Sequence, residues 1–243
     1  MPVFAATLAG AGQTRRPGVR LARLTVPPVA EAVGGLRLTR PVATLLDCGR
    51  VLGALDLAVV VGGAIDDGVD PAEIDAAAAR RVRGAGQLRA ARALLGERPE
   101  SAMEVVLGAF CRTLRIPTET QRELRDGDDR FVARGDLWIA GTRTLVEYDG
   151  AVHLEPDAYA DGLRRDRRIN AEGWNRFAVT LSDLVGRSHR TARELYAAAG
   201  LEHDPARVRA WWDLLRYSGE TPAGRAWLSA RWAYRTNTRR EAS

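Results

Sequence analysis

The sequence predicts a mixed α/β protein: a mostly helical region over residues 1–95, then a small mixed central sheet flanked by helices. Three observations carry this. Residues 39–95 hold successive apolar runs at helical spacing, punctuated by capping signals. Residues 131–149 hold two strand-like runs, "FVARGDLWIA" and "RTLVEYD", joined by the turn "AGTR". After them a charged helical stretch, another apolar strand and another helix alternate, which is how a chain adds a strand to a covered sheet.

In order along the chain, residues 1–38 read as short strands and loops, with a Pro-Pro break at 27–28. "TRPVATLLDCGRVL" opens a helix, with Thr39 as cap and Pro41 in the first turn, and "LGALDLAVVVGGAIDDG" is a second. "DPAEIDAAAARRV" has Asp70 as cap and Pro71 at the first helical position, and "GQLRAARALLG" closes the helical run. "GERPE" marks a boundary. "PESAMEVVLGAFCRTLR" is the next helix, with Met103, Val106, Leu107, Phe110 and Leu114 on one side. "PTETQRELRDGDDR" reads as a polar loop leading to the hairpin. Beyond it come the helix "DAYADGLRRDRRINAEG", the strand "WNRFAVTL" and the helix "SDLVGRSHRTARELYAAA". The stretch 199–243 is a basic, Trp-rich helical extension whose tryptophans are expected to pack rather than stack on bases.

Composition narrows the chemistry. The 243 residues are 46% hydrophobic, enough for a sizeable core, and the net charge of +5 suits an anionic partner. All 36 basic residues are arginine, so no lysine serves as base or Schiff-base former; phosphate contacts fall to guanidinium forks, backbone amides or metals. Cys48 and Cys111 lie in apolar helical contexts without metal-type spacing and read as reduced core thiols. No apolar run is long enough to span a bilayer, and a cytoplasmic location with no membrane partner is expected.

The chemistry-bearing stretch is "TLVEYDGAVH", residues 144–153. On a strand Glu147 and Asp149 share a face, and Asp136 on the preceding strand comes within reach of the same ion if the two strands pair. Carboxylates from neighbouring strands suit Mg²⁺; the alternative is a solvated strand end. Glu104 adds an acid from the helix before, or serves Ser101 in a capping box. His153, one of three histidines, has the pKa for proton transfer beside such a site. Arg164, Arg167 and Arg168 form a basic helical face able to grip a nucleic-acid backbone, or else a solvated face partnered by Asp161 and Asp166.

In order, "ESAMEVVL", "ARGDLWIAGTRTLVEYDGAVH" and "LRRDRRINAEGW" resemble a domain family allied to very-short-patch repair endonucleases, within the PD-(D/E)XK nuclease superfamily and common in actinobacterial proteins. The resemblance covers about residues 98–198. It implies a restriction-endonuclease-like fold and DNA as partner, with Mg²⁺ or Mn²⁺ as cofactor. Asp136 and Glu147 would be metal-binding acids, Glu104 a supporting acid and His153 a proton carrier. Asp149 stands where the superfamily usually has Lys. Ala178 stands where the family has an arginine, with Arg176 two residues earlier. Residues 1–95, through "GGLRLTRPVATLLDCGRVL", resemble the latter part of a type IV abortive-infection antitoxin-like region and imply a protein partner.

The function expected from these readings is metal-dependent hydrolysis of DNA phosphodiesters, in repair, defence or a toxin–antitoxin system. The alternatives are a DNA-binding or regulatory protein that keeps the fold without turnover, and a protein-interaction module. If Glu147 and Asp149 repel each other while awaiting a cation, Glu147→Gln is expected to leave the metal-free protein at least as stable as the wild type.

Overall fold

The computed structural model describes residues 3–8, 19–24, 30–96, 101–150 and 156–233. Two small sheets come first. The strands β1 (Val3–Leu8) and β2 (Val19–Leu24) pair in parallel, and β3 (Ala30–Val33) and β4 (Leu36–Thr39) form an antiparallel hairpin. Four helices come after them: α1 (Pro41–Cys48), α2 (Ala54–Asp66), α3 (Pro71–Ala79) and α4 (Ala85–Leu94). Asp70 caps α3 as expected, its carboxylate accepting the Ala72 amide at 2.8 Å. For α1 the cap position falls to Arg40, without a side-chain cap, rather than to Thr39, whose hydroxyl meets that of Thr44 at 2.8 Å.

Next come α5 (Ala102–Thr113), β5 (Thr118–Arg125), β6 (Phe131–Ile139), β7 (Thr144–Tyr148), α6 (Pro156–Ala171) and β8 (Asn175–Val179). The four strands form one mixed sheet in the order β5-β6-β7-β8, antiparallel except for the parallel pair β7·β8. The helices α7 (Leu181–Val185), α8 (Ser188–Ala198), α9 (Pro205–Leu215) and α10 (Pro222–Ala233) complete the described chain.

Residues 118–125, expected to be part of a polar loop, are instead the edge strand β5. Among its described side chains only Leu124 is buried, while Arg122 lies with its guanidinium 3.5 Å from the Trp138 ring centroid. Pairing with β6 supplies the order that the polar sequence lacks, and a polar, charged edge also discourages pairing with another chain.

The sheet is packed on both faces. On one, Leu137, Ile139, Val146 and Val179 meet Phe110 of α5, Leu114 at its C-cap, Leu195 of α8 and Trp211 of α9. On the other, Leu145 meets Ile169 of α6, Leu124 and Val132. Leu145 and Val146 are both 0% exposed, so β7 is an interior strand, and Glu147 starts out inside the protein.

The helical region shares this interior. Leu55 of α2 belongs to the core around Phe110, while Leu57, Ala58 and Val61 belong with Ile74, Leu88 and Val105 to a second core. Facing two cores explains why α2 is apolar over most of its length, with Asp56 and Asp66 its only charged residues. A polar clasp joins α2 to the loop after α9: Asp56 accepts the Ser218 hydroxyl at 2.6 Å and the Gly219 amide at 2.8 Å. Trp211 is 0% exposed, stacks edge-on to Phe110 with centroids 5.0 Å apart, and donates its indole N–H to the Leu184 carbonyl at 2.8 Å. Both cysteines are free, as expected; burial pushes the Cys111 thiol up to about 12. Among the described residues no helix is long and apolar enough to cross a membrane.

Candidate functional site

The site lies where β6 and β7 part. Their last paired residues are Leu137 with Val146, and one step beyond stand Asp136 and Glu147. There the Asp136 carboxylate replaces the ladder, accepting the Tyr148 amide at 2.9 Å. Burial raises the Asp136 carboxyl above the usual range. The Tyr148 amide opposes that shift, and the charges of Glu104 and Glu147 add to it. The charge of the helix acid Glu104 is thus felt at Asp136 together with that of Glu147. Ser101 caps α5 by accepting the Glu104 amide at 3.1 Å, which anchors Glu104 in the first turn.

Glu147 is 5% exposed, and its two oxygens meet arginine. Arg165 of α6 approaches as a fork, donating from Nη2 to Oε1 at 2.6 Å and from Nη1 to Oε2 at 2.7 Å. Its Nη2 also donates to the Arg134 carbonyl at 2.9 Å. Arg176 of β8 donates from Nε to Oε2 at 2.5 Å. Burial pushes the Glu147 carboxyl up, but hydrogen bonds from Arg165 and then Arg176 outweigh it and hold the group below its usual range. Arg176 also spans to Asp149 at 3.7 Å and Asp166 at 3.6 Å.

This geometry corrects the picture of Glu147 and Asp149 as repelling acids awaiting an ion. Buried between strands, Glu147 is stable as an anion because two guanidiniums compensate it, whereas Asp149 is 50% exposed in its side chain. In this arrangement no three His, Cys, Asp or Glu side chains among the described residues are grouped to hold a metal ion. His153 and Asp161 lie outside the residues whose side chains are described. Asp166, a local partner for the arginines of its own helix if that face is merely solvated, also reaches Arg176 of β8.

The helix α6 presents the expected basic face. Arg164, Arg167 and Arg168 are accessible and, with Gly162 and Arg165, line an open groove of about 660 Å³. Sequence spacing missed Arg165, which lies one step round the helix from that face. A usable signal existed: Ile169, 0% exposed, is four residues on, so Arg165 shares the helix side that meets the sheet. Arg176 is on the same face of the sheet as Ala178, the residue paired with Glu147, and its side chain covers the two-residue offset. An arginine on β8 thus does reach the acid of β7, from a different position. No protein-family model, curated protein or solved structure matches the chain.

Proposed function

We propose that the chain is a divalent-metal-dependent DNA phosphodiesterase, with a nuclease unit of the PD-(D/E)XK type over residues 98–198. The observation that carries this reading is the placement of Asp136 and Glu147 one step past the last paired residues of β6 and β7, with the charge of Glu104 acting on Asp136, within a helix–three-strand–helix–strand unit and beside a groove lined by arginine. All three are carboxylates, the donor type a hard divalent cation takes, although among the described residues they are not grouped around one ion position. Asp136 is held in a place where burial and two other acids disfavour its charge, which a cation reverses. Asp136 and Glu147 would hold the ion, supported by Glu104, once Glu147 has an oxygen to offer. Mg²⁺ or Mn²⁺ would supply Lewis acidity and a water of lowered pKa at the phosphodiester. Arg164, Arg167 and Arg168 would grip phosphates, and their placement on one helix face suits a backbone rather than base edges. Asp149 would orient from the rim, and His153 would carry a proton.

The test is cleavage of supercoiled, linear and single-stranded DNA with Mg²⁺ or Mn²⁺, beside a Glu147→Ala control. Metal-dependent cutting by the wild type alone is expected. A second reading, a DNA-binding or regulatory protein without turnover, draws on the arginine clamp at Glu147. Salt-dependent DNA binding without any metal-dependent cleavage would select it.

A further inference from the structure

We infer that Arg165 is a two-position residue: it holds Glu147 closed in the resting protein and transfers its guanidinium to a DNA phosphate, so that substrate binding opens the metal site. This rests on the nuclease reading above. Its basis is that Arg165 belongs to two structures at once. Its fork occupies both oxygens of Glu147, and the same residue lines the groove with Arg164, Arg167 and Arg168. Its side chain is 31% exposed against 6% for Glu147, so the cation is the member of the pair that has a path to solvent.

The exchange is chemically matched. A guanidinium fork binds a carboxylate or a phosphodiester through the same pair of parallel N–H donors. Moving from one to the other preserves charge-assisted bonds while freeing Glu147. Arg176 stays: its Nε bond to Oε2 keeps the buried carboxylate from losing every partner. Arg176 is also tethered by Asp149 and Asp166, which marks it as the fixed half of the clamp. Once Arg165 has left, Oε1 has lost its guanidinium donor, and Asp136 stands on the neighbouring strand, likewise one step past the last paired residues. Metal and DNA must then help each other bind, because coupling between two sites is reciprocal. In the resting state the site disfavours a loose metal ion and hence unproductive chemistry.

The test measures metal binding rather than cleavage. Free Mn²⁺ is counted by electron paramagnetic resonance in titrations of wild type, Arg165→Gln and Arg164→Gln, without DNA. Arg165→Gln should bind Mn²⁺ tighter than wild type by about tenfold, the scale of ordinary coupling between sites. Arg164→Gln, which removes a charge from the same groove but not the fork, should match wild type. Equal affinity in wild type and Arg165→Gln overturns the clamp and leaves the nuclease reading standing, as does equal tightening by both variants. Absence of Mn²⁺ binding in all three overturns both. If Arg165→Gln does not keep its circular-dichroism spectrum, wild type decides. A short phosphorothioate duplex should tighten its Mn²⁺ binding, and an unchanged affinity overturns the inference.

Discussion

Replacing Glu147 by Gln removes the carboxylate from between two guanidiniums while keeping its shape. Three charge-assisted hydrogen bonds converge on it, and its side chain is 6% exposed. Placed at Oε2, the amide oxygen can still accept from Arg165 Nη1 and Arg176 Nε, but the amide nitrogen at Oε1 then faces the Arg165 Nη2 N–H, which it cannot accept. Breaking a buried ion pair by removing one partner costs about 3–5 kcal/mol. Because Arg165 is partly in water, the low end applies, about 3 kcal/mol. With a urea m-value of about 3 kcal/mol/M, the midpoint should fall by about 1 M. The sign with pH is fixed by the depressed carboxyl. Its stabilisation is complete above the ordinary glutamate pKa of about 4.3 and disappears as pH falls through the lower folded value. The gap between wild type and variant should therefore be full at neutral pH and shrink in acid. A variant as stable as wild type at neutral pH, or a gap that persists undiminished in acid, would refute the compensated-anion account and restore the repulsion that the sequence alone suggests.

Replacing Arg164 and Arg168 together by Ala should weaken DNA binding equally across sequences and reduce the steepness of log affinity against log salt by about 2, since each phosphate contact contributes about 0.9. A loss confined to one sequence, measured by fluorescence anisotropy over a salt series, would mean base reading instead. Trp211→Ala should cost about 3–5 kcal/mol in urea unfolding, the usual range for deleting a buried aromatic; a cost below about 1 kcal/mol would show that α9 is an appendage rather than a wall of the core.

The elements that were legible had local chemistry behind them. Asp70 before Pro71 writes a helix start, and alternating "RTLVEYD" after a Gly-containing turn writes a strand. The strand β5 was illegible because its order comes from β6, not from its own residues; one leucine among Thr, Glu, Gln and Arg gives no period to read. At the site, the local neighbourhood of Glu104, Asp136 and Glu147 came from strand pairing and helix placement. The partner of Glu147 did not. Spacing on α6 groups arginines that share a solvent face, while Arg165 is fixed by which side of that helix meets the sheet, a property of packing. Asp149, two residues on and identical in charge, differs because the strand surfaces over that step, from 5% exposure at Glu147 to a half-exposed side chain.

The clasp of Asp56 by Ser218 and Gly219 bears on how the protein is made. These partners stand 162 and 163 residues apart, so the early helices leave the ribosome long before the groups that fasten α2 exist. Until then Asp56 favours water, since burial raises its carboxyl against the two hydrogen bonds that later offset the effect. Leu55 beside it likewise waits for Trp211 to close the core. A nascent chain that has not yet reached α9 lacks both the clasp on α2 and the indole that packs on Phe110. Late closure therefore leaves the joint between the early helices and the sheet unfinished until the last helices have been made.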